Sequence, residues 1–270
     1  MAFQNNRAQG VTPELSRDYA ARTADKQAAF VEPYLHPGMD LLDVGCGPGT
    51  ITLGLAQVVD PGRVNGIDHD EQHIEAARAL AAELGTLNAT FDIGNALRLP
   101  FEEAVFDAAF ENDMFTHLAQ DAVRAAREVY RVLKPGGLFA ARDVYARNVV
   151  WGHQSDTIRE FDRLFEQWHH SRGSDINLGV RLPAILREAG FIDTVKSVSA
   201  DNKGNPESVQ ANAKMMIALL EGPFGRAILN NEWAEAATIE SIKTGIHAWG
   251  EHPDAFFANV HVEVIGWKPG

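Results

Sequence analysis

Residues 41–49 combine a carboxylate with three closely spaced glycines, in a pattern that is typical of nucleotide binding. An apolar run of strand length contains Asp43 and ends at Gly45, Gly47 and Gly49, after which a helix-like segment begins. Glycine permits the positive φ that such a turn requires, and its bare backbone lets a ligand lie against the chain. A strand, a glycine turn and a helix in this order predict the ligand-binding corner of a doubly wound α/β sheet.

The spacing of these glycines separates two classes of nucleotide-binding protein. The dinucleotide fingerprint G-x-G-x-x-G requires its third glycine at position 50, which is Thr50, whereas here the third glycine comes one residue earlier. The pattern is therefore G-x-G-x-G, preceded by an acid two residues before its first glycine. This spacing disfavours a dehydrogenase of the NAD type.

Beyond the turn, strand-like and helix-like segments alternate, which predicts a mostly parallel sheet covered on both faces. Asp70 is placed to cap the second helix of the alternation, and Gly85 to end it. We therefore expect an α/β fold with a doubly wound, seven-stranded, mostly parallel sheet and an inserted helical cap. The strand-like segments are 39–44, 63–68, 89–95, 106–112, 138–143, 195–198 and 260–267.

Three stretches depart from the alternation and suggest a cap. Residues 201–254 far exceed the usual connection of ~4–6 residues, and an N-terminal helix is expected at about 14–35. These stretches are expected to fold together over the carboxyl edge of the sheet, where ligands bind in open α/β folds. The predicted boundaries are an N-terminal helical lid at 1–36, an α/β core at 37–200 and 255–270 with a cap insertion at about 145–179, and a helical substrate cap at 201–254.

Composition excludes several classes of partner. The formal net charge of −13 repels phosphate backbones, so no nucleic acid partner is expected. The sequence contains no apolar run of membrane-spanning length and no signal-peptide core, so no membrane span is expected. Cys46 is the single cysteine, which rules out an intrachain disulfide and favours a cytoplasmic location.

Several motifs fall in the order and spacing of one known family. Together they resemble the class I methyltransferases that depend on S-adenosylmethionine (SAM), of the ubiquinone/menaquinone-biosynthesis type, which act on quinones, sterols and secondary metabolites. The likeness covers about residues 30–144 well and the cap poorly. The segments that carry it are 34–50, 66–68, 94–101, 106–107 and 133–137.

This resemblance implies SAM as cofactor, S-adenosylhomocysteine (SAH) as its product, and a Rossmann-like fold. The glycine turn would hold the amino-acid end of SAM, and the two carboxylate oxygens of Asp68 would accept the ribose diol. Asn95 would meet the adenine amino group, although family members usually have Asp there. The cofactor-binding residues implied are Tyr19, Arg22, Asp43, Gly45, Cys46, Gly47, Gly49, Thr50, Asp68, His69, Gly94, Asn95, Ala96 and Glu111.

Two residues after the fourth predicted strand are candidates for removing a proton from the methyl acceptor. His117 is the first, because family members often carry a histidine beside the methyl-transfer zone; a structural role in capping or packing the next helix is equally open. Asp113 is the second, with a loop-to-helix cap as its alternative. A base is needed only where the acceptor's own pKa is high.

Other reactive residue types are assigned no catalytic role. His69 and His73 lie one helical turn apart, but no third ligand follows at a recognisable spacing, so no metal site is predicted. Cys46 contributes its backbone to the turn, and we do not expect its thiol to be a nucleophile.

The predicted cap is rich in aromatic residues, which favours an apolar small molecule as methyl acceptor. The simpler interpretation is that most of these rings form the cap's own core. We therefore predict a SAM-dependent methyltransferase that acts on an O, N or C atom of an apolar small molecule, with homodimerisation left open. The alternatives are a SAM-binding fold that catalyses a non-methylating reaction such as a cyclisation, and a non-catalytic SAM-binding protein. The aromatic residues of the cap are Trp151, Phe161, Phe165, Trp168, Phe224, Trp233, Trp249, Phe256 and Phe257.

Overall fold

The computed structural model describes residues 19–270, and these residues form two compact units. The α/β unit comprises residues 19–144, 178–199 and 261–270, and the helical unit comprises residues 145–177 and 200–260. The expectations for residues 1–18 lie outside the described part of the chain.

The α/β unit is built on a sheet whose strand order is β3-β2-β1-β4-β5-β8. The first five of these strands pair in parallel, and β8 pairs antiparallel to β5. Strand β7 also pairs with β8, while the short β6 pairs with the first residues of β8 inside the helical unit. The strands are β1 (Leu41–Val44), β2 (Val64–Asp68), β3 (Ala89–Ile93), β4 (Phe106–Asn112), β5 (Leu133–Val144), β6 (Val150–Gly152), β7 (Ile192–Lys203) and β8 (Phe256–Trp267).

Helices cover both faces of this sheet. Along β1 the side chains alternate with the period of two that a strand imposes: Leu42 packs in a cluster with α5 and α7, and Leu41 packs in another with α2 and residues 28–35. The helices are α1 (Ala24–Gln27), α2 (Thr50–Val59), α3 (Glu71–Leu84), α4 (Phe115–Leu118), α5 (Ala122–Val132), α6 (Asp156–Ser171), α7 (Leu182–Ala189), α8 (Pro206–Glu221), α9 (Pro223–Asn230) and α10 (Ala236–Gly250).

The predicted doubly wound α/β fold is confirmed, and the sheet has one strand more than the seven predicted. The additional strand, β6, is only three residues long, too short to show a period in the sequence. The predicted ends of α3 are also correct. Asp70 caps its first turn by accepting a hydrogen bond from the backbone N–H of Gln72, and Gly85 ends it in the left-handed conformation.

Three expectations about secondary structure were wrong. The helix expected at about 14–35 is not continuous: within the described residues, 19–20 are helical, and after a break the chain forms the single turn α1 and a 3₁₀ turn at Glu32–Tyr34; Pro33 cannot occupy a helix interior without a clash. Strand β5 begins at Leu133 rather than at Leu138, because Leu133 already pairs with Phe106 of β4. Helix α9 was not predicted.

The helical unit has an apolar core of its own, formed by α6, α8, α9 and α10. Its rings pack edge to face or tilted, with Phe224 in contact with Phe161, Phe165 and Trp168 at centroid distances of 5.7, 5.7 and 5.1 Å. Across residues 19–270, none of the helices combines the length and the apolar character needed to cross a bilayer.

Candidate functional site

The glycine turn joins β1 to α2 with three residues in the left-handed region. Gly45, Gly47 and Gly49 have φ of 79°, 53° and 82°, where only glycine is free of strain. The backbone N–H groups of Gly45 and Cys46 both donate to the carbonyl of Ile67 on β2, at 2.7 and 3.0 Å. The turn is therefore tied to the neighbouring strand and held in one position.

The glycines of the turn have different surroundings. A Cβ at Gly49 would lie 2.8 Å from Cβ of Ala77 and 2.9 Å from the ring of Phe91, so close packing requires glycine there. Around Gly47, by contrast, no atom of residues 19–270 other than those of Gly47 and its two chain neighbours lies within 4 Å of where a Cβ would stand. The backbone of Gly47 is thus the part of the turn that a ligand can approach directly.

Asp68 ends β2 with its carboxylate beside this backbone. One oxygen, Oδ2, accepts from the N–H of Gly47 at 3.0 Å, and the other, Oδ1, accepts from the N–H of Asp70 at 2.9 Å. Nδ1 of His69 lies 3.2 Å from Oδ1, and Nδ1 of His73 lies 3.6 Å from it. Burial opposes ionisation of Asp68, but the adjacent imidazoles of His69 and His73 and the hydrogen bond from Asp70 outweigh it and place its pKa well below the usual range.

Asp43 lies inside the fold and links β1 to α2. Its side chain is 2% exposed, and Oδ2 accepts a hydrogen bond from Oγ1 of Thr52 at 2.6 Å. Burial raises the pKa of Asp43 to about 7, the Thr52 hydrogen bond lowers it, and the nearby charge of Asp68 adds to the rise. Burial likewise raises the pKa of the Cys46 thiol far above its usual value, which agrees with the absence of a nucleophilic role.

The loop after β3 lies next to the end of β2. The N–H of Gly94 donates to the carbonyl of Asp68 at 2.8 Å, and a Cβ at Gly94 would clash with the side chain of Ile67. Asn95 is exposed, and its Oδ1 accepts from the N–H of Leu97 at 2.9 Å. Ala96 is half-buried against the apolar core of the sheet. The structure thus brings Gly94 into direct contact with Asp68 and holds the adjacent Asn95 side chain in a local turn.

The first described residues lie over the same corner. Oγ1 of Thr50 donates to the carbonyl of Tyr19 at 3.5 Å, and the ring of Tyr19 contacts His73 edge to face with centroids 6.2 Å apart. The guanidinium of Arg22 lies 4.8 Å from the centre of the Tyr19 ring. These contacts place residues 19–22 against the first turns of α2 and α3.

A second group of charged residues gathers where β4 and β5 end. Glu111 is fully buried, and its two oxygens accept from the N–H groups of Met114 and Arg142, both at 3.1 Å. Asp143 is also fully buried, and its Oδ1 accepts from the N–H of Thr116 at 3.1 Å. Burial, together with nearby carboxylate charges, raises the pKa values of Glu111 and Asp143 well above the usual range.

Asp113 lies beside this group with a positive φ of 56°. Its Oδ2 forms an ion pair with Arg22 at 3.0 Å, and its Oδ1 lies 3.3 Å from Nε2 of His261. Burial opposes ionisation of Asp113, but His261 and Arg22 outweigh it, so the pKa of this carboxyl lies well below the usual range. The alternative role of Asp113 as a cap is not observed, because the N-cap of α4 is Met114 and the N–H of Thr116 in its first turn donates to Asp143.

His117 lies in the last turn of the four-residue α4, and its side chain is exposed.

The sequence predicts Asp113 as a site residue, but two charged neighbours of Asp113 were not predicted. His261 is 2% exposed, and Arg142 is fully buried with its guanidinium 2.8 Å from Oδ1 of Asn112. The available signal was the presence of charged residues in otherwise apolar strands, since such residues are rarely buried unless they are paired.

Comparisons with known proteins agree with this geometry. Residues 35–214 match a family described as a methyltransferase domain. The probable methyltransferase ltbC of Aspergillus luteorubrus is 30% identical, with 98% of this chain and 98% of that protein aligned. The crystal structure of the YcgJ protein from Bacillus subtilis superimposes with a TM-score of 0.59 at 19% identity, over 90% of this chain and 98% of that one.

A solved structure with bound cofactor shares the same fold. Phosphoethanolamine N-methyltransferase 2 of Haemonchus contortus, in complex with S-adenosyl-L-methionine, superimposes with a TM-score of 0.55 at 18% identity, over 90% of this chain and 52% of that one. The family match covers well over half of the sequence, and the fungal relative aligns along nearly all of it. The chain therefore belongs to the methyltransferase-domain family, and it is a SAM-dependent methyltransferase.

Proposed function

We propose that the chain transfers the methyl group to an O, N or C atom of an apolar small molecule. The observation that carries this proposal is the aromatic character of the helical unit, where Phe165, Trp151, Trp233 and Phe257 are only partly buried around the core. Amphipathic and aromatic surfaces of this kind suit apolar ligands that bear rings. The net charge of −13 argues against a nucleic acid substrate.

The α/β unit offers groups that suit the two ends of the cofactor. The open approach to Gly47 suits the amino-acid end of SAM, and the carboxylate of Asp68 suits the ribose diol, since it has two acceptor oxygens. When bound, the cofactor supplies an electrophilic methyl group on a sulfonium, so the protein chiefly positions the reactants and excludes water. The residues proposed to hold it are Tyr19, Arg22, Asp43, Gly45, Cys46, Gly47, Gly49, Thr50, Asp68, His69, Gly94, Asn95, Ala96 and Glu111.

The charge state of Asp113 favours His117 as the proton acceptor. A carboxylate whose pKa lies well below its usual range is a weak base, so Asp113 is better suited to position Arg22 and His261. His117 is exposed, and imidazole is the side-chain type whose ordinary range suits general base catalysis near neutral pH. We therefore assign His117 the role of base for acceptors that need deprotonation.

Calorimetry and product analysis test this proposal with the full chain. We expect SAH to bind, and Asp68→Asn to weaken binding by about tenfold or more, because a hydrogen bond to a charged group contributes ~1.5–3 kcal/mol. Asp92→Asn is the matched control, since Asp92 is an exposed acid on β3 that pairs with Arg78. Incubation with SAM and a panel of apolar phenols, amines and enols, followed by mass spectrometry, should show methylated product and SAH in equal amounts. Failure to bind SAH, or product without SAH, would refute the proposal.

A further inference from the structure

Four donors surround the carboxylate of Asp68, and they are of two kinds. The backbone N–H groups of Gly47 and Asp70 belong to the glycine turn and to the cap of α3, so their positions are set by the fold. The imidazoles of His69 and His73 reach the same oxygen, Oδ1, at 3.2 and 3.6 Å, and a side chain can rotate away. Asp68 is therefore already engaged before any ligand reaches it.

His73 is the more sheltered of the two histidines. Its side chain is 22% exposed, whereas that of His69 is 62% exposed, so water screens His69 more strongly. The buried Nδ1 of His73 makes no hydrogen bond within the described residues, and its ring is covered by the edge of Tyr19. The position of His73 is thus fixed beside Asp68 without a full hydrogen bond between them.

The charges around His73 favour its protonated form. Asp68 at the end of β2 and Asp70 at the cap of α3 are the acidic charges that act on His73, and the buried Asp43 on β1 interacts with Asp68. Arg22 lies against the other side of the intervening Tyr19 ring, and the amino end of α3 also disfavours a cation. The Asp68 carboxylate, 3.6 Å from Nδ1, is the largest influence on His73, and together with the charge of Asp70 it raises the pKa of His73 in spite of burial.

A nucleoside diol competes with this arrangement for the same oxygens. A carboxylate offers about four lone-pair positions, and the two backbone donors occupy two of them, which leaves room for two ribose hydroxyls only if the imidazoles withdraw. We propose that His73 holds Asp68 in the ligand-free protein, and that the cofactor's ribose displaces it, so that binding releases a proton. This inference rests on the proposed role of Asp68 in binding the ribose.

The sign of the resulting pH dependence follows from linkage. His73 carries a proton in the free protein and loses its acidic partner in the complex, so its pKa falls on binding. The association constant must then rise with pH, by at most about tenfold per pH unit for one proton released. The rise extends up to the pKa of His73 in the free protein, which lies above the ordinary value of 6.5, and levels off beyond it.

Titration calorimetry with SAH tests the proposal directly on the full chain. We would measure affinity from about pH 6 to about pH 8.5, in phosphate and in Tris, because the difference in buffer ionisation enthalpy counts the protons released. We expect the wild type to bind several-fold more tightly at the upper end, with proton release greatest between the pKa values of His73 in the complex and in the free protein. His73→Gln should remove most of the slope and bind more tightly than the wild type at low pH.

His247→Gln is the matched control, because Nδ1 of His247 on α10 lies 3.7 Å from a carboxylate oxygen of Glu251, which forms a similar histidine–carboxylate pair in the helical unit. This variant should keep the wild-type dependence of SAH affinity on pH. His69→Gln should keep most of the slope as well, since His69 is the more exposed imidazole. If His73→Gln does not fold, His73→Met gives the same test, and the proton count of the wild type is an independent measure.

Several results would overturn the inference. These are a wild-type affinity that does not change with pH, a slope that survives in His73→Gln, a slope lost in His69→Gln instead, or weaker binding by His73→Gln at every pH, which would make His73 a direct ligand. Each of these leaves the proposed function intact as long as SAH binds and Asp68→Asn weakens its binding. Absence of SAH binding at any pH would overturn both.

Discussion

Alanine at Gly47 separates a structural from a functional role for the glycine turn. Gly47 has φ of 53°, and Gly85, which ends α3, has φ of 66°. In both places no atom among residues 19–270 other than those of the glycine and its two chain neighbours lies within 4 Å of a Cβ. The cost of either alanine is therefore backbone strain alone, about 1 kcal/mol of unfolding free energy. Gly85→Ala is thus a matched control for Gly47→Ala in stability.

The two variants should differ in ligand binding. The new methyl group of Gly47→Ala would lie on the backbone that we propose the cofactor approaches, and overpacking of a close contact costs about 1–3 kcal/mol. SAH affinity should then fall by roughly five- to 150-fold, since 1.4 kcal/mol is a factor of ten. Gly85→Ala should bind SAH as the wild type does.

Gly49→Ala completes the series at the opposite extreme. Its Cβ would meet Ala77 and Phe91 at 2.8 and 2.9 Å, so strain and overpacking add to about 2–4 kcal/mol of lost stability. Urea unfolding and SAH calorimetry on the three variants give both quantities. If Gly47→Ala binds SAH with wild-type affinity while it is destabilised like Gly85→Ala, the turn is only structural and our account of the cofactor site is wrong.

Three further changes test the buried charges, each by urea unfolding. Native Asp43 keeps a proton that the unfolded chain loses between pH 3.8 and about 7, so it should make stability fall as pH rises, by at most about 1.4 kcal/mol per pH unit. Buried Glu111 and Asp143 act in the same direction, so Asp43→Asn should make the slope shallower by the Asp43 share, and an unchanged slope would assign it to those other groups. Arg22→Gln leaves Asp113 without its 3.0 Å ion pair and should cost about 1–3 kcal/mol, whereas no loss would mean that solvent replaces the arginine. Arg142→Met removes a buried guanidinium that is hydrogen-bonded to Asn112, and it should lower the free energy of unfolding by about 3–5 kcal/mol. Arg142→Lys should be intermediate in stability between the wild type and Arg142→Met. Equal stability of the two variants would contradict a role for the charge.

The parts of the fold that depend on local chemistry could be predicted from the sequence. The glycine turn after β1, the Asp70 cap and the Gly85 stop are each set by the conformational limits of one residue type, and all three are present. Tertiary contacts decided the features that were missed. Strand β5 starts early because Leu133 finds a partner in Phe106, and no pattern within either segment encodes that pairing.

In the candidate site, too, features set by local sequence could be predicted, and features set by tertiary contacts could not. The contact between Gly47 and Asp68 could be anticipated, because neighbouring parallel strands end at the same edge of a sheet. The contact between Asp113 and His261 could not, since His261 lies on the antiparallel β8 and its register is not encoded locally. The position of a charged residue in an apolar strand indicates that a partner exists, but it does not identify that partner.

The placement of the buried charges is itself an argument for where this enzyme works. Asp43, Asp68, Glu111 and Asp143 all lie in the last two residues of their strands β1, β2, β4 and β5, and burial acts against the charge of each. Charges buried in this way rarely add net stability compared with well-packed apolar residues. Stability therefore does not explain why four such carboxyl groups lie at one edge of the sheet. Binding of a polar nucleoside at that edge does explain it, and buried ionisable groups with shifted pKa values are a recognised mark of functional sites.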